Sequence, residues 1–175
     1  MMKKNKIEVL TGHASLKGKG IISIEKDGKK EDVKSKHTII ATGARARALP
    51  GLEPDGKHIW SYKEAMTPES MPKSLLVIGS GAIGIEFANF YSTMGVEVTV
   101  AEIADRILIA EDEEISAFAH KSFEKQGMKI LTNTQVANAK VSKNKVTVDM
   151  TDKAGKKSQA TFDRVISAVG VVANV

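Results

Sequence analysis

Residues 75–84 have the sequence Leu-Leu-Val-Ile-Gly-Ser-Gly-Ala-Ile-Gly, and this stretch decides the fold. Its four apolar residues predict a strand that is buried on both faces, as in a parallel sheet. Gly79, Gly81 and Gly84 then form a Gly-x-Gly-x-x-Gly motif, after which we predict a helix ending at Gly95. We expect the buried face of that helix to carry four apolar side chains: Ile83, Phe87, Phe90 and Met94.

The motif has the sequence context of a nucleotide-binding turn. Gly79 permits the tight turn, the missing side chain of Gly81 admits a pyrophosphate, and Gly84 allows close packing of helix on strand. The N–H groups at the helix N-terminus would hold the phosphates. Glu102, at the end of a second predicted strand, could bind a ribose diol and repel a 2′-phosphate, which favours NAD over NADP. The alternative is a glycine-rich turn that binds nothing.

Several polar residues near or outside the motif have weaker signals. Glu86 lies in the first turn of the helix, where any acid is stabilised by the dipole, so spacing alone leaves a structural role or a cofactor contact open. Ser80 lies inside the motif, but nothing near it in the sequence suggests a base that would activate it. The four histidines lack the spacing of a metal site or a catalytic triad: His13, His37, His58 and His120.

The chain divides into three stretches, residues 1–44, 45–72 and 73–175. In the first, residues 21–33 predict a hairpin with an Asp27-Gly28 turn, and residues 37–43 predict a buried parallel strand. The second contains all four prolines and is expected to be a connector with a short helix, which starts at a capping box at 61–64 and runs through Met66.

The third stretch alternates strand and helix and then changes pattern. Acidic residues 112–114 predict the start of a second helix, which ends at Gly127 and is followed by a strand at 128–131. The expected buried residues of this helix are Ile115, Phe118, Ala119 and Phe123. Residues 136–141, 146–150 and 157–162 predict an antiparallel meander, and residues 165–169 a last strand. The predicted fold class is α/β, a Rossmann-like parallel sheet with an inserted antiparallel meander.

Composition excludes several classes of function. The chain has no cysteine, which rules out a disulfide scaffold or a redox dithiol within these residues. Its net charge of +5 comes from scattered lysines with few aromatic residues, so we predict solvated surface and no nucleic-acid partner. No apolar run is long enough to cross a membrane, and no secretory signal is present, so we expect a cytoplasmic protein.

Eight segments resemble the pyridine nucleotide–disulfide oxidoreductase family. They are residues 9–14, 38–44, 49–51, 72–79, 84–86, 112–115, 125–127 and 168–170. The order of the segments also resembles the family, with part of a flavin domain before an NAD domain. One segment departs from the pattern: the residues after Val169-Gly170 are Val171-Val172-Ala173, where the family usually carries Arg and Pro.

The resemblance implies NAD and FAD as cofactors, with FAD bound in a longer, full-length protein. The implied NAD-binding residues are Gly79, Ser80, Gly81, Ala82, Ile83, Gly84, Glu86, Glu102, Val136 and Gly170. The implied FAD contacts are Ala14, Thr42, Gly43 and Ala44. Glu86 would lie where nicotinamide meets flavin, Val136 would touch adenine, and the Gly170 backbone would meet the nicotinamide end. Ala82 replaces a bulkier gating residue of some relatives. The resemblance therefore implies that residues 1–44 are a β-rich part of a flavin domain.

The resemblance also implies a reaction and partners. It is strongest to the bacterial branch that oxidises dihydrolipoyl groups through a redox disulfide and FAD with reduction of NAD. The implied partners are NAD(H), lipoyl domains of 2-oxoacid dehydrogenase complexes and a second copy of the protein. The redox cysteines and catalytic base of the family are not in this sequence, so we expect no catalytic residue here and no activity from these residues alone. The alternatives are another NAD(P)H-dependent flavoprotein disulfide reductase, an NADH oxidase or a non-catalytic NAD-sensing module.

Overall fold

The computed structural model describes residues 1–174, which divide between Thr42 and Gly43 into two compact units. The strands are β1 (His13–Gly18), β2 (Ile21–Lys26), β3 (Lys29–Lys34), β4 (Ala44–Ala46), β5 (Ile59–Trp60), β6 (Ser74–Ile78), β7 (Glu97–Ala101), β8 (Lys129–Leu131), β9 (Gln135–Ser142), β10 (Lys145–Thr151), β11 (Lys157–Phe162), β12 (Arg164–Ser167) and β13 (Val171–Ala173). The helices are α1 (Tyr62–Met66), α2 (Ala82–Thr93) and α3 (Glu113–Lys125), and a short 3-10 turn spans Lys3–Asn5.

The first unit is a three-stranded antiparallel sheet in the order β1-β2-β3. Asp27 and Gly28 both have positive φ (51° and 75°), as a two-residue hairpin turn between β2 and β3 requires. This hairpin confirms the prediction. Ser23 is the only residue of this unit that is fully buried, so the three strands enclose no hydrophobic core of their own.

The second unit is built on a five-stranded parallel sheet in the order β5-β12-β6-β7-β8. The central strand β6 is apolar throughout because both of its faces are covered. Leu75 and Val77 pack in a cluster with the helix residues Ile85 and Tyr91. Leu76 and Ile78 pack in a second cluster with the meander β9-β10-β11. The predicted α/β class and the inserted meander are therefore confirmed.

Residues 45–72, expected to be a connector, contribute to this packing. β5 forms the edge of the parallel sheet beside β12, and Leu52 is buried among the meander residues. The capping box predicted for α1 is present. The Ser61 hydroxyl oxygen accepts a hydrogen bond from the Lys63 N–H (3.3 Å), and the Glu64 carboxylate accepts one from the Ser61 N–H (2.8 Å). The Tyr91 hydroxyl donates to the Ala65 carbonyl oxygen (2.7 Å), which fastens α1 to α2.

The predicted buried face of α2 is wrong. Gly84 must face the sheet, because a Cβ atom there would lie 2.0 Å from the carbonyl oxygen of Gly79. The residues on the same face of the helix as Gly84 are therefore buried: Ile85, Ala88 and Tyr91. The apolar row expected inside, Ile83, Phe90 and Met94, is exposed, and only Phe87 packs partly against the core.

The predicted face of α3 is correct only in part. Ala119 and Phe123 pack against the core, but Ile115 is exposed and Phe118 is 73% exposed. The hydroxyl of Ser116 donates to the Ile107 carbonyl oxygen and fixes the rotation of the helix. Ser116, Ala119 and Phe123 then lie on the inner face at helical spacing. The helix begins at the acidic residues 112–114 and ends just before Gly127, as predicted. Asp112 caps its start, and Gly127 has a positive φ.

The predicted strand at residues 37–43 is also wrong. Within the described residues no strand pairs with this segment, and Ile39 is 91% exposed. An apolar run becomes a buried strand where it forms a ladder with neighbouring strands, and residues 37–41 form no ladder with any strand of the described chain. The short strand β4 begins directly afterwards and pairs antiparallel with β13. Neither strand is long enough to show a periodic pattern in the sequence.

Asp163 joins the starts of β6 and β12. Its Oδ2 accepts hydrogen bonds from the backbone N–H groups of Lys73 (2.9 Å) and Ser74 (3.1 Å), and its Oδ1 lies 3.2 Å from Nζ of Lys145. Burial acts to raise the pKa of the Asp163 carboxyl, but these hydrogen bonds outweigh it and lower the pKa below its ordinary value of 3.8. The charged form of Asp163 therefore stabilises the folded state.

We expect Asp163→Asn to lower the free energy of unfolding at pH 7 by about 1–2 kcal/mol. Because the folded-state pKa is lowered, the stabilisation by Asp163 is complete above the ordinary pKa and is lost as the pH falls through the lowered one. Urea unfolding should therefore show a difference at pH 7 that shrinks below about pH 4. Asp105→Asn, at an exposed aspartate, is the control. An equal loss at every pH would contradict the assignment.

Candidate functional site

A cleft of about 640 Å³ lies at the carboxyl ends of β6, β7 and β12. The chain leaves β6 toward β7 on one side, whereas β12 is inserted on the other side of β6. Ligands of open α/β sheets bind at such a switch point. The lining residues are Leu49, Ile78, Gly79, Ser80, Gly81, Ala82, Ile83, Ala101, Glu102, Ile103, Thr134, Gln135, Val136, Ala168, Val169 and Gly170.

Gly79 and Gly84 let β6, α2 and the end of β12 approach closely. Gly79 has a φ of +93°, and a Cβ on it would lie 2.6 Å from the carbonyl oxygen of Ala168. A Cβ on Gly84 would meet the Gly79 carbonyl oxygen at 2.0 Å and the Ala168 side chain at 3.3 Å. Gly84 is buried beneath the turn and does not line the cleft. Gly84 therefore allows the close packing of helix on strand that the motif predicts, and Gly79 has the positive φ that a tight turn can require.

Gly81 differs from the other two glycines because the space beside it is open. A Cβ on Gly81 would have no protein atom within 4 Å, and its φ of −65° is one that any residue adopts. It is the N-cap of α2, and no side chain caps that end of the helix. The N-terminal N–H groups of a helix carry partial positive charge and bind anions when a ligand can reach them. The residues present therefore fit the pyrophosphate of a dinucleotide.

Glu102 is held at the mouth of the cleft by its own chain. Its Oε2 accepts hydrogen bonds from the backbone N–H (2.8 Å) and the hydroxyl (2.6 Å) of Ser80, and its Oε1 accepts from the Ala104 N–H (2.9 Å). Its backbone is bonded to the neighbouring strand end as well, since its N–H donates to the Leu131 carbonyl oxygen and its carbonyl oxygen accepts from Thr134 N–H. The acid is thus fixed next to the glycine-rich turn.

The contact of Ser80 with Glu102 was not foreseen from the sequence. A carboxylate does lie within hydrogen-bond reach of this hydroxyl, but Ser80 is only 1% exposed and so cannot attack a ligand. The two residues are 22 positions apart, and only the pairing of β6 with β7 brings them together.

The remaining predicted NAD residues lie in different surroundings. Ala82 and Ile83 line the cleft at the start of α2, Val136 lines it from the meander, and Gly170 lines it beyond β12 with a φ of +105°. Glu86 is exposed on α2 and does not line the cleft. Sequence reasoning missed the wall residues at the strand ends, such as Ala101, Ile103 and Val169, although their position directly after or within predicted strands was a usable signal.

The four predicted FAD contacts fall in both units. Ala14 lies on β1 and Thr42 at the end of the first unit, whereas Gly43 (φ +80°) and Ala44 begin the second. All four residues are exposed. Their assignment to FAD stays a prediction.

The histidines do not form a metal site. Across residues 1–174, no group of three or more His, Cys, Asp or Glu side chains could hold a metal ion. His58 is 3.0 Å from Oδ1 of Asn144 and 3.5 Å from Asp55, and His120 is 3.4 Å from Glu124. None of the helices in this described range is long and apolar enough to cross a membrane.

Comparison with known proteins gives the class. The family model "Pyridine nucleotide-disulphide oxidoreductase" matches residues 1–175, and the chain belongs to this family. The family uses NAD and FAD, the two predicted cofactors.

Individual relatives narrow the similarity further. The chain is 49% identical to the dihydrolipoyl dehydrogenase of Rhizobium etli and 47% identical to that of Zymomonas mobilis, and the matches cover 100% of this chain. They cover only 40% and 38% of those proteins. Among solved structures, LpdA of Mycobacterium tuberculosis matches with a TM-score of 0.84 and 27% identity, over 99% of this chain and 38% of that one. The Escherichia coli flavoprotein disulfide reductase RclA has a TM-score of 0.76 at 24% identity, over 96% of this chain and 37% of that one, which shows the shared fold alone.

The different surroundings of Gly81 and Gly84 predict opposite effects of the same substitution. Gly81→Ala should leave the free energy of unfolding within about 0.5 kcal/mol of the wild type, since its Cβ enters open space. It should weaken NADH binding about tenfold or more, because the methyl group would occupy the predicted approach of the pyrophosphate. Gly84→Ala should lower stability by about 3 kcal/mol or prevent folding, because its Cβ would clash with backbone. Urea unfolding and NADH calorimetry separate the two, and equal behaviour of both variants would contradict this division of roles.

Proposed function

We propose that this chain provides the NAD site of a dihydrolipoyl dehydrogenase. The observation that carries the proposal is the pairing of the open, uncapped turn at Gly81 with the fixed carboxylate of Glu102 in a single cleft. An anion-binding helix end and an acid for a ribose diol are the two groups that a dinucleotide with a free 2′-hydroxyl requires. The identity of 49% with a dihydrolipoyl dehydrogenase supports the choice of enzyme within the family.

The residues at the turn would bind the phosphates and the adenosine ribose. The N–H groups at the start of α2 would donate to the pyrophosphate beside Gly81. A carboxylate has about four acceptor sites, and three are used by donors of this chain, so Glu102 retains capacity for a ribose hydroxyl. Its negative charge would repel a 2′-phosphate. These features favour NAD over NADP.

The other cleft residues would place the two ends of the dinucleotide. Val136 is proposed to contact adenine, and Ala82, Ile83 and Gly170 to border the nicotinamide end. NAD, when bound, supplies the nicotinamide ring that exchanges a hydride with a flavin. Ala82 has a small side chain at the start of α2, which leaves that end of the cleft accessible. Glu86 lies one turn further along the exposed surface of α2 and is proposed to meet the nicotinamide region from outside the cleft.

The remaining assignments follow from the family. Residues 1–44 are proposed to be part of an FAD domain that contacts the flavin through Ala14, Thr42, Gly43 and Ala44, and residues 73–175 the NAD domain, with 45–72 between them. The chain spans about 40% of the length of its curated relatives. The whole protein is proposed to oxidise dihydrolipoyl groups on the lipoyl domains of 2-oxoacid dehydrogenase complexes, as a homodimer in the bacterial cytoplasm.

The first test is NADH binding and its specificity. We expect the 175-residue chain to bind NADH weakly, so that binding is detected with NADH at concentrations up to the millimolar range. NADPH should bind more weakly still. Glu102→Ala should reduce NADH affinity about tenfold, as expected for loss of hydrogen bonds to a charged group, and should bring the NADH and NADPH affinities closer together. Calorimetry of both nucleotides measures this. Glu97→Ala, at the other end of β7 and exposed, is the matched control. A folded wild type that gives no heat with NADH would refute the proposed site.

The second test concerns the reaction. Dihydrolipoyl oxidation in this scheme needs a cysteine pair, and the sequence contains no cysteine. FAD also needs a pyrophosphate site of its own. The sequence has one Gly-x-Gly-x-x-Gly motif, at residues 79–84, and its partner Glu102 favours NAD as the ligand there. We therefore expect the 175-residue chain alone to show no lipoamide-dependent NADH turnover and to purify without flavin absorption. Turnover above a protein-free blank, or a yellow sample, would contradict this expectation.

A further inference from the structure

We infer that Ser80 is a positioning residue whose side-chain hydroxyl holds the Glu102 carboxylate in place and thereby sets the preference for NADH over NADPH. The inference rests on the proposed NAD site. It assigns to the variable position between Gly79 and Gly81 a role that the glycine motif does not give it, because the motif requires no particular side chain there.

The first support is the geometry of the contact. The hydroxyl of Ser80 lies 2.6 Å from Oε2 of Glu102, a short distance typical of a hydroxyl that donates to a charged carboxylate. The backbone N–H of the same residue donates to the same oxygen at 2.8 Å. Ser80 therefore contacts Oε2 with both of its donors, while Oε1 receives only the Ala104 N–H. Acceptor capacity for a ligand is left mainly on Oε1.

The second support is burial. Ser80 is 1% exposed, so its hydroxyl is shielded from bulk water and has no competing solvent partner. The backbone around it is hydrogen-bonded on both sides, because the Ser80 carbonyl oxygen accepts from Leu108 N–H (3.0 Å) and the adjacent Gly79 N–H donates to the Ala101 carbonyl oxygen (2.9 Å). A donor held in this way restricts the rotamers of a flexible glutamate before any ligand arrives.

Fixing the carboxylate matters for specificity more than for phosphate binding. The backbone N–H groups near Gly81 do not depend on the Glu102 rotamer. Hydrogen bonding to a ribose diol, and repulsion of a 2′-phosphate, require the carboxylate to stay at one position at the mouth of the cleft. A glutamate that is free to rotate away loses the first interaction and also relaxes the second. Loss of the Ser80 hydroxyl should therefore lower NADH affinity and raise the relative affinity for NADPH.

The test is a double-mutant cycle of Ser80→Ala and Glu102→Ala. Calorimetry should show NADH binding weakened about three- to tenfold by Ser80→Ala, with a smaller ratio of NADH to NADPH affinity, and no further change when Ser80→Ala is added to Glu102→Ala. Ser80→Gly should behave like Ser80→Ala. The matched control is Ser116→Ala, which removes a hydroxyl that is equally buried and donates to the Ile107 carbonyl oxygen in the same unit. It should lower stability without altering the nucleotide ratio.

Urea unfolding without nucleotide supplies an independent readout for the four proteins of the cycle: the wild type, Ser80→Ala, Glu102→Ala and the double variant. The effects of the two substitutions on unfolding should be non-additive, because they remove the two partners of one hydrogen bond. Additive unfolding effects, or a Ser80→Ala variant that discriminates between NADH and NADPH as sharply as the wild type, would overturn the inference. If the wild type binds no NADH, the proposed site fails, and the role of Ser80 in specificity fails with it. Binding that is lost in Glu102→Ala but unchanged in Ser80→Ala would refute the Ser80 role alone.

Discussion

The close approach of α2 to the end of β6 is the constraint on which the second unit depends. At Gly84 a single added carbon would lie 2.0 Å from the Gly79 carbonyl oxygen, so helix and strand meet backbone to backbone. Interiors are close-packed, and a contact of this kind cannot relax without moving a whole element. It sets the rotation of α2, which buries Ile85 and Tyr91, and it places the helix N-terminus at the mouth of the cleft.

The same constraint holds the elements of the candidate site together. The cleft is formed by the ends of three parallel strands of one sheet, and that sheet is covered by helices on one face and by the meander on the other. Asp163 fastens the opposite ends of β6 and β12 through backbone hydrogen bonds. The glycine-rich turn therefore connects two elements that are held in place, the strand β6 and the helix α2. The position of Glu102 relative to Gly81 follows from the pairing of β6 with β7.

Much of this arrangement could be predicted from the sequence. The glycine spacing, the apolar run of β6 and the acid after β7 were sufficient for the fold class and for the part of the cleft formed by the glycine-rich turn and Glu102. Val136 and Gly170 were implied only by the family resemblance. The errors were of two kinds. For α2, apolar periodicity favoured the row with Ile83 and Phe90, whereas a glycine with no hydrophobic signal determined the inner face. For residues 37–43, an apolar run indicated a strand, but strand formation depends on partners that a local pattern does not describe.

The contact of Ser80 with Glu102 shows a further limit of sequence reasoning. Hydrogen bonds between residues on different strands depend on register, and a serine in a glycine-rich turn is otherwise unremarkable. The β4–β13 pair is a similar case, since three-residue strands with mostly exposed side chains leave no periodic pattern. In both cases the information lies in long-range geometry and not in local composition.

The position of β12 in the sheet has a consequence for how the polypeptide acquires its structure. In the sheet, β6 lies between β7 and β12. Along the chain, β7 follows β6 closely, whereas β12 comes only after the helices α2 and α3 and the meander. Ser74 and Asp163, which join the starts of these two strands, are 89 residues apart. Non-local parallel pairing of this kind slows folding, because a long loop must close before the contact forms. During synthesis the edge of β6 that pairs with β12 has no partner until residues 164–167 have been made. An unpaired apolar strand edge of this kind is prone to associate with other chains.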